Sequence, residues 1–239
     1  MVMNKMRIIS WNCGGGFRNK YHLMDELGFD LCIIQECEDP SSSPITEYKN
    51  WAGKHLWVGE NRNKGIGVFT RHGHTTELCD LSTGGNKLFL PFKLNNSVNF
   101  LAVWTKGSTK KLDGYIAQLW SYLQLNIQHV EAKKSIIIGD FNSNAKWDAK
   151  RPERNHSVVV NLLNNLGMKS LYHLDKDEPH GKENEPTFFM HRNISKGYHI
   201  DYCFASSQII TNPHSLTLEK PSEWLDKSDH VPMLIQLDI

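Results

Sequence analysis

The stretch Ser135-Ile136-Ile137-Ile138-Gly139-Asp140-Phe141-Asn142 says more about this chain than any other. A β-branched apolar run closed by glycine reads as a buried strand, and it delivers an acid and an amide at its end. The same arrangement recurs at distant points. Asn12 follows the strand-like run Arg7-Ile8-Ile9-Ser10-Trp11, and Gln35-Glu36 ends Leu31-Cys32-Ile33-Ile34. Asp201 lies within the run 199–204, and Asp229-His230 immediately precedes a last strand over Met233–Leu237. Layered α/β folds collect active sites in this way, from the ends of several strands. Taken singly, an Asp or Asn after a strand is an ordinary turn residue or helix cap. Asp201 is harder to explain so, because a carboxylate inside an apolar run is costly unless paired. An imidazole or a metal would be its natural partner.

Working outward, strand-length apolar runs also occupy 65–71, 87–94, Val98–Trp104, 187–191, 198–205 and 215–218, with Asn95-Asn96 as a hairpin turn. Three segments predict helices. Residues 20–27 carry Leu23 and Leu27 four apart. Residues 113–130 put Ile116, Leu119, Trp120, Leu123 and Ile127 on one face, with Asp113 as N-cap. Residues 155–166 are closed by Gly167. Strands with helices interspersed favour a layered α/β or α+β fold over a bundle. No repeat, linker or low-complexity tract divides the chain, so one domain over 1–239 is expected.

The 239 residues are 39% hydrophobic and 22% charged, with a net charge of +1. That balance excludes a mainly disordered chain and a globally basic nucleic-acid binder, but not a local basic patch. No apolar run approaches the roughly 20 residues a bilayer requires. Residues 1–10 lack the apolar segment of a secretory signal. The cysteines are Cys13, Cys32, Cys37, Cys79 and Cys203. Their odd number and the absence of a CxxC pair suggest thiols without catalytic duty, in a reducing cytoplasm.

The ordered set Ser10-Trp11-Asn12, Gln35-Glu36, Gly139-Asp140-Phe141-Asn142, His199-Ile200-Asp201-Tyr202 and Ser228-Asp229-His230 resembles the endonuclease/exonuclease/phosphatase superfamily. Gly65-Ile66-Gly67-Val68-Phe69-Thr70-Arg71 is similar to its glycine-rich strand. The motifs reach from Trp11 to His230, nearly the whole chain. Members include exonuclease III, apurinic endonucleases, deoxyribonuclease I, deadenylases, sphingomyelinases and inositol polyphosphate 5-phosphatases. The resemblance implies a four-layer α/β sandwich, two mixed β-sheets face to face with helices outside.

It also implies hydrolysis of a phosphoester with a divalent cation, Mg2+, for which Mn2+ substitutes. Glu36 matches the family's main metal carboxylate, with Asn12 and Asp229 beside it. His230 would act on the attacking water or the phosphate, and Asp201 would fix its tautomer. The base is either His230 or Asp140. Asn142 would donate to a phosphate oxygen. Two departures stand out. Trp104 occupies the place where many relatives carry Tyr or His. An indole donates one hydrogen bond but delivers no proton, so Trp104 is either a phosphate-side contact or a core aromatic. Lys106 would supply the missing positive charge. Gly14 stands where repair endonucleases often have an acid, and Gly14-Gly15-Gly16 reads as a tight turn.

The substrate is read less directly. Lys146, Lys150, Arg151 and Arg154 surround Trp147 just after the Gly-Asp-Phe-Asn motif. Trp147 and Arg151 are therefore expected to contact substrate, tracking a phosphate backbone and stacking on a base. The alternative is a solvated loop leading into the next helix. The Trp-Cys-Asp-Arg signature of 5-phosphatases and a membrane-inserting hairpin are both absent from the sequence. A nucleic acid, DNA before RNA, is the expected substrate. The alternative is a phosphatase or phosphodiesterase for a small-molecule or lipid phosphoester. A monomer with no obligate protein partner is expected.

Overall fold

Two six-stranded sheets carry the chain in the computed structural model, which describes residues 5–109, 113–130, 134–150 and 153–238. In chain order the elements are β1 (Met6–Asn12), α1 (His22–Leu27), β2 (Leu31–Cys37), α2 (Thr46–Ala52), β3 (His55–Asn61), β4 (Lys64–Thr70) and β5 (Thr76–Leu78). There follow β6 (Phe89–Leu94), β7 (Val98–Trp104), α3 (Ile116–Val130), β8 (Ser135–Asp140), α4 (His156–Asn165), β9 (Met168–Ser170) and α5 (Leu171–Lys176). The last are β10 (Phe188–Phe189), β11 (Gly197–Tyr198), β12 (Asp201–Ser206), α6 (Ser207–Ile210), β13 (His214–Leu218), α7 (Pro221–Trp224) and β14 (Met233–Leu237).

The first sheet has the order β13-β14-β1-β2-β4-β3 and the second β5-β6-β7-β8-β12-β9, while β10 and β11 form a short ribbon. Both sheets are mixed, with one parallel pair each, β1 with β2 and β7 with β8. A parallel pair needs a crossover rather than a hairpin. The two crossovers carry α1 and α3.

Between the sheets, Ile8, Leu31, Ile33 and Val68 pack against Phe92, Phe100, Ile136 and Ile138. Outside the second sheet, Leu119, Leu123, Val159 and Leu163 of α3 and α4 cover Ile137 and Phe204. Outside the first, Met24, Tyr48 and Trp224 cover Ile9 and Ile34. The order is helix, sheet, sheet, helix, the expected four layers. Central strands buried on both faces must be apolar at consecutive positions, which is why β2 and β8 read as unbroken runs.

Boundaries differ from expectation in places. The helix expected over 20–27 starts at His22, after a 3-10 turn at Phe17–Asn19. The helix expected from Asp113 starts at Ile116, and Asp113 pairs with Arg154 at 3.5 Å. The run 187–191 holds only two strand residues before a 3-10 turn. The run 198–205 divides into β11 and β12, so Asp201 opens its strand instead of lying within it. Asn95 and Asn96 both take positive φ between the paired Leu94 and Val98, as a tight hairpin requires. The Asn155 side chain accepts Val158 N–H to cap α4. Sequence reading missed α2, β3, β5, β9 and α5, which are short or half-exposed and carry no clean periodicity.

Candidate active site

At one rim of the sandwich the ends of β1 and β2 from one sheet meet the end of β8 from the other. Asn12 bridges them. Its Nδ2 donates to Asp140 Oδ2 at 3.0 Å and to Glu36 Oε1 at 3.3 Å, and its Oδ1 accepts Gly14 N–H at 3.1 Å.

Glu36 owes its direction to a bulge. The register of β2 on β4 slips between Gln35 and Cys37, and Glu36 itself sits at φ 62. A bulge re-aims one side chain out of the strand's alternation, and positive φ in a non-glycine residue is strain of the kind found at functional sites. Glu36 is thereby turned to the rim while Gln35 stays buried.

Asp140 is placed by Gly139. A Cβ there would lie 2.1 Å from Val103 O, and φ is +135, so only glycine lets β8 lie this close to β7. The Asp140 carboxylate accepts Asn142 N–H at Oδ1 (2.8 Å) and Asn142 Nδ2 at Oδ2 (2.8 Å). Asn142 Nδ2 also donates to Thr105 O at 3.0 Å. The Asn142 amide is thus engaged by the protein and orients Asp140.

Asp201 lies directly opposite Asp140 in the β12–β8 register. Its Oδ2 is 2.8 Å from His230 Nδ1, and His230 Nε2 points on to Asp140 Oδ2 at 4.0 Å. All three side chains are buried. Thr187 Oγ1 accepts the N–H groups of Ile200 and Asp201, while Trp11 Nε1 donates to His230 O at 2.9 Å. Ser228 Oγ accepts His230 N–H and donates to Asn12 O. Phe188 covers the imidazole, ring centroids 4.8 Å apart. Burial, and then the Asp201 charge opposite, push the Asp140 carboxyl up to about 7. For His230 burial acts downward, but Asp201 and then Asp140 outweigh it and hold the imidazole at about 9.

Asp229 is half-buried beside Gly14, and a Cβ on that glycine would come 3.7 Å from Asp229 Oδ1. Gly14, Gly15 and Gly16 all have positive φ, as a tight turn requires. Lys20 Nζ locks this turn against the Asp229 segment by donating to Cys13 O, Gly15 O and Lys227 O. Lys64 rests its ammonium on Glu36 Oε2.

A family model described as the endonuclease/exonuclease/phosphatase family matches residues 9–230. The chain belongs to this family. No curated protein matches the sequence significantly. Among solved structures of this fold, the 3′ phosphatase NExo from Neisseria bound to product DNA hairpin superposes with a TM-score of 0.73 at 16% identity, covering 98% of this chain and 100% of that one. An AP endonuclease from Archaeoglobus fulgidus gives 0.72 at 16% identity, covering 98% and 100%. Truncated TDP2 from Caenorhabditis elegans gives 0.67 at 14% identity, covering 98% and 97%.

In this member of the endonuclease/exonuclease/phosphatase family, Asn12, Glu36, Asp140, Asn142, Asp201 and His230 share one bonded network at the rim, and Asp229 adjoins it. Trp104 sits beside Asp140 in the β7–β8 register and is largely buried in the inter-sheet core. Lys106 lies 5.5 Å above the Trp104 ring and pairs with Glu60 at 2.7 Å, so its charge is already matched. Trp147 is half-buried, with its ring 5.3 Å from Tyr198. It lines a cavity of about 350 Å³ with Tyr115, Asn142, Asn144 and His156. Arg151 lies outside the described residues. Arg154 folds back over Trp120, 4.5 Å from the ring, and does not join Trp147.

Sequence reading missed Lys64, Lys20 and Thr187 as parts of the site. Each stands at the edge of a segment read only as strand or helix, and nothing local marks its reach to the rim. It also missed a second gathering of histidines below the Asp140–Asn142 loop. No helix among the described residues is long and apolar enough to cross a membrane.

Proposed function

We propose that this protein is a Mg2+-dependent phosphodiesterase acting on nucleic acid, DNA before RNA, with Mn2+ able to substitute. The observation that carries the reading is the line Asp201–His230–Asp140 ending beside Asn12 and Glu36. Such a line at a rim is suited to moving a proton at a charged substrate.

Glu36 and Asp229 offer carboxylate oxygens, which suit a hard cation that keeps several waters, and Asn12 would join them through Oδ1 by turning the amide whose Nδ2 now faces Glu36. Lys64 is half-exposed and its ammonium is displaceable, so Glu36 can exchange one cation for another. A divalent ion held there would neutralise charge on the phosphoryl oxygens. The remaining work falls to the chain. Asp201 holds Nδ1–H of His230 and leaves Nε2 facing the rim. The 4.0 Å gap from Nε2 to Asp140 Oδ2 is too wide for a direct hydrogen bond and takes a water or a phosphoryl oxygen. Asp140, held near neutrality by burial and by Asp201, is matched to accepting a proton from water or giving one to the leaving oxygen. Asn142 fixes the direction of Asp140 and can turn one N–H from Thr105 O to a phosphate oxygen.

The cavity beside Asn142 supports the nucleic-acid substrate, because the aromatic residues Tyr115 and Trp147 line it next to that side chain. The Neisseria neighbour bound to a product DNA hairpin supports this choice. The test is a panel with Mg2+: abasic duplex, nicked duplex, single-stranded DNA, RNA and bis-p-nitrophenyl phosphate. Turnover of a polynucleotide that stops with EDTA is expected. Undiminished turnover in excess EDTA, or activity confined to small phosphoesters, overturns the proposal.

A further inference from the structure

Beneath the loop that follows β8, four imidazoles and one carboxylate are gathered: His156, His173, His180, His199 and Glu183. The ligand atoms of His173, His180 and Glu183 lie within 4.8 Å of one another. His173 Nε2 is 3.2 Å from Glu183 Oε1, and His180 Nδ1 is 3.2 Å from His156 Nε2. Two ligand atoms bound to one tetrahedral ion at 2.0–2.1 Å stand about 3.3 Å apart, so both spacings match the edge of such a site.

The surroundings are those of ligands. His173 Nδ1 lies 2.7 Å from Ser170 Oγ, a contact that holds the ring with Nε2 turned toward Glu183. Glu183 accepts Gly181 N–H at Oε1 and Asn144 Nδ2 at Oε2, and its side chain is fully buried. Among the described residues its ion pairing is with His173, and no lysine or arginine pairs with it. His156 Nδ1 and His199 Nε2 are buried with no partner in the protein. A buried carboxylate that no lysine or arginine pairs with, and buried ring nitrogens left without a partner, are both uncommon.

We propose that His173, His180 and Glu183, with His156 beside His180, form a second metal site that takes a borderline divalent ion of the zinc class. Nitrogen-rich donors favour such an ion over magnesium, whereas the oxygen donors around Glu36 favour the reverse. The His173 and His180 rings are stacked, 3.5 Å apart and 18° from parallel, and must splay for both in-plane lone pairs to reach one ion. His180 precedes Gly181 (φ 89) on the solvent side, so it is the ring placed to swing.

The site would brace the catalytic rim without touching it. Asn144 Nδ2 joins Glu183 Oε2 to His199 O at 3.0 and 2.8 Å. Asn144 is two residues after Asn142, and His199 is two before Asp201. Filling the site therefore tightens the loop and the turn that present those side chains.

The test uses the full chain, stripped with EDTA and dialysed. Zn2+ is titrated by calorimetry and Co2+ by visible absorption, in wild type, His180→Gln, His173→Gln and Glu36→Gln. Wild type and Glu36→Gln should bind one equivalent of Zn2+, show the intense bands of four-coordinate Co2+ and gain thermal stability with Zn2+. His180→Gln and His173→Gln should bind at least tenfold more weakly, with no such bands. Millimolar Mg2+ should leave the Co2+ spectrum unchanged. If His173→Gln does not fold, His180→Gln decides alone, since its ring lies on the solvent side. Zn2+ affinity unchanged in His180→Gln overturns the proposal, as does loss of Zn2+ binding in Glu36→Gln or no binding by wild type.

Discussion

Replacing Asp201 with Asn tests the hydrolytic reading at its centre. The change is nearly isosteric, and the backbone N–H of residue 201 keeps its bond to Thr187 Oγ1. What is lost is a negative charge 2.8 Å from His230 Nδ1. His230 stands at about 9 against an ordinary 6.5. At 1.36 kcal/mol per unit this is roughly 3 kcal/mol in favour of the imidazolium, net of burial. With residue 201 neutral, Asp140, 4.0 Å from Nε2, and then Asp229 are left to oppose the effect of burial, and the imidazole pKa falls toward its ordinary value. The ring also loses the acceptor that selects its tautomer. Removing acid–base help of this kind costs about 10²–10⁴-fold in kcat, and KM should change far less. His230→Ala should lose a similar factor, and the double variant little more, because the pair acts as one unit. Steady-state kinetics on bis-p-nitrophenyl phosphate or the best substrate of the panel, with the cycle of three variants, measures this. Losses that multiply fully in the double variant would falsify the coupling. Stability provides a second reading in EDTA. A histidine whose folded pKa lies above its unfolded value stabilises fully below about 6.5 and loses that contribution as pH rises through about 9. The denaturant midpoint of Asp201→Asn should therefore trail wild type most below about pH 6.5, with the gap narrowing as pH rises through about 9.

Glu36→Gln should raise the Mg2+ concentration needed for half-maximal activity by tenfold or more while leaving the fold intact; an unchanged Mg2+ dependence would remove Glu36 from the metal reading. Gly139→Ala should destabilise by about 2 kcal/mol or more, because its Cβ meets Val103 O and a left-side φ is required there, and chemical denaturation would report it. The metal-free protein should be acid-labile. His156 has a folded pKa of about 4 against 6.5 unfolded, so its contribution is complete above 6.5 and declines as pH falls toward 4. Between pH 7 and 5 this amounts to about 2 kcal/mol from His156 alone, and an equal urea midpoint at both pH values would contradict it.

The chain's own residues determine its layers and the parts of its rim. Strands buried on both faces carry near-continuous apolar runs, so β2 and β8 announce themselves, and the polar residues that end them stand out against those runs. That is why Glu36, Asp140 and Asn142 were legible, and why Asp201 could be singled out as a carboxylate needing a partner. Only the tertiary structure decides which partner it meets. His230 is 29 residues away and reaches Asp201 because β10 and the 228–230 segment cross the end of β12. Nor does local sequence reveal that β2 bulges at Glu36, since a bulge is a mismatch between two strands and belongs to neither alone. Lys64, Lys20 and Thr187 enter the site by the same long-range packing. The cluster of His156, His173, His180, His199 and Glu183 was invisible for the same reason. Its members lie on four segments with no common period, and a contact between helix ends and loops leaves no mark in the spacing of the residues that make it.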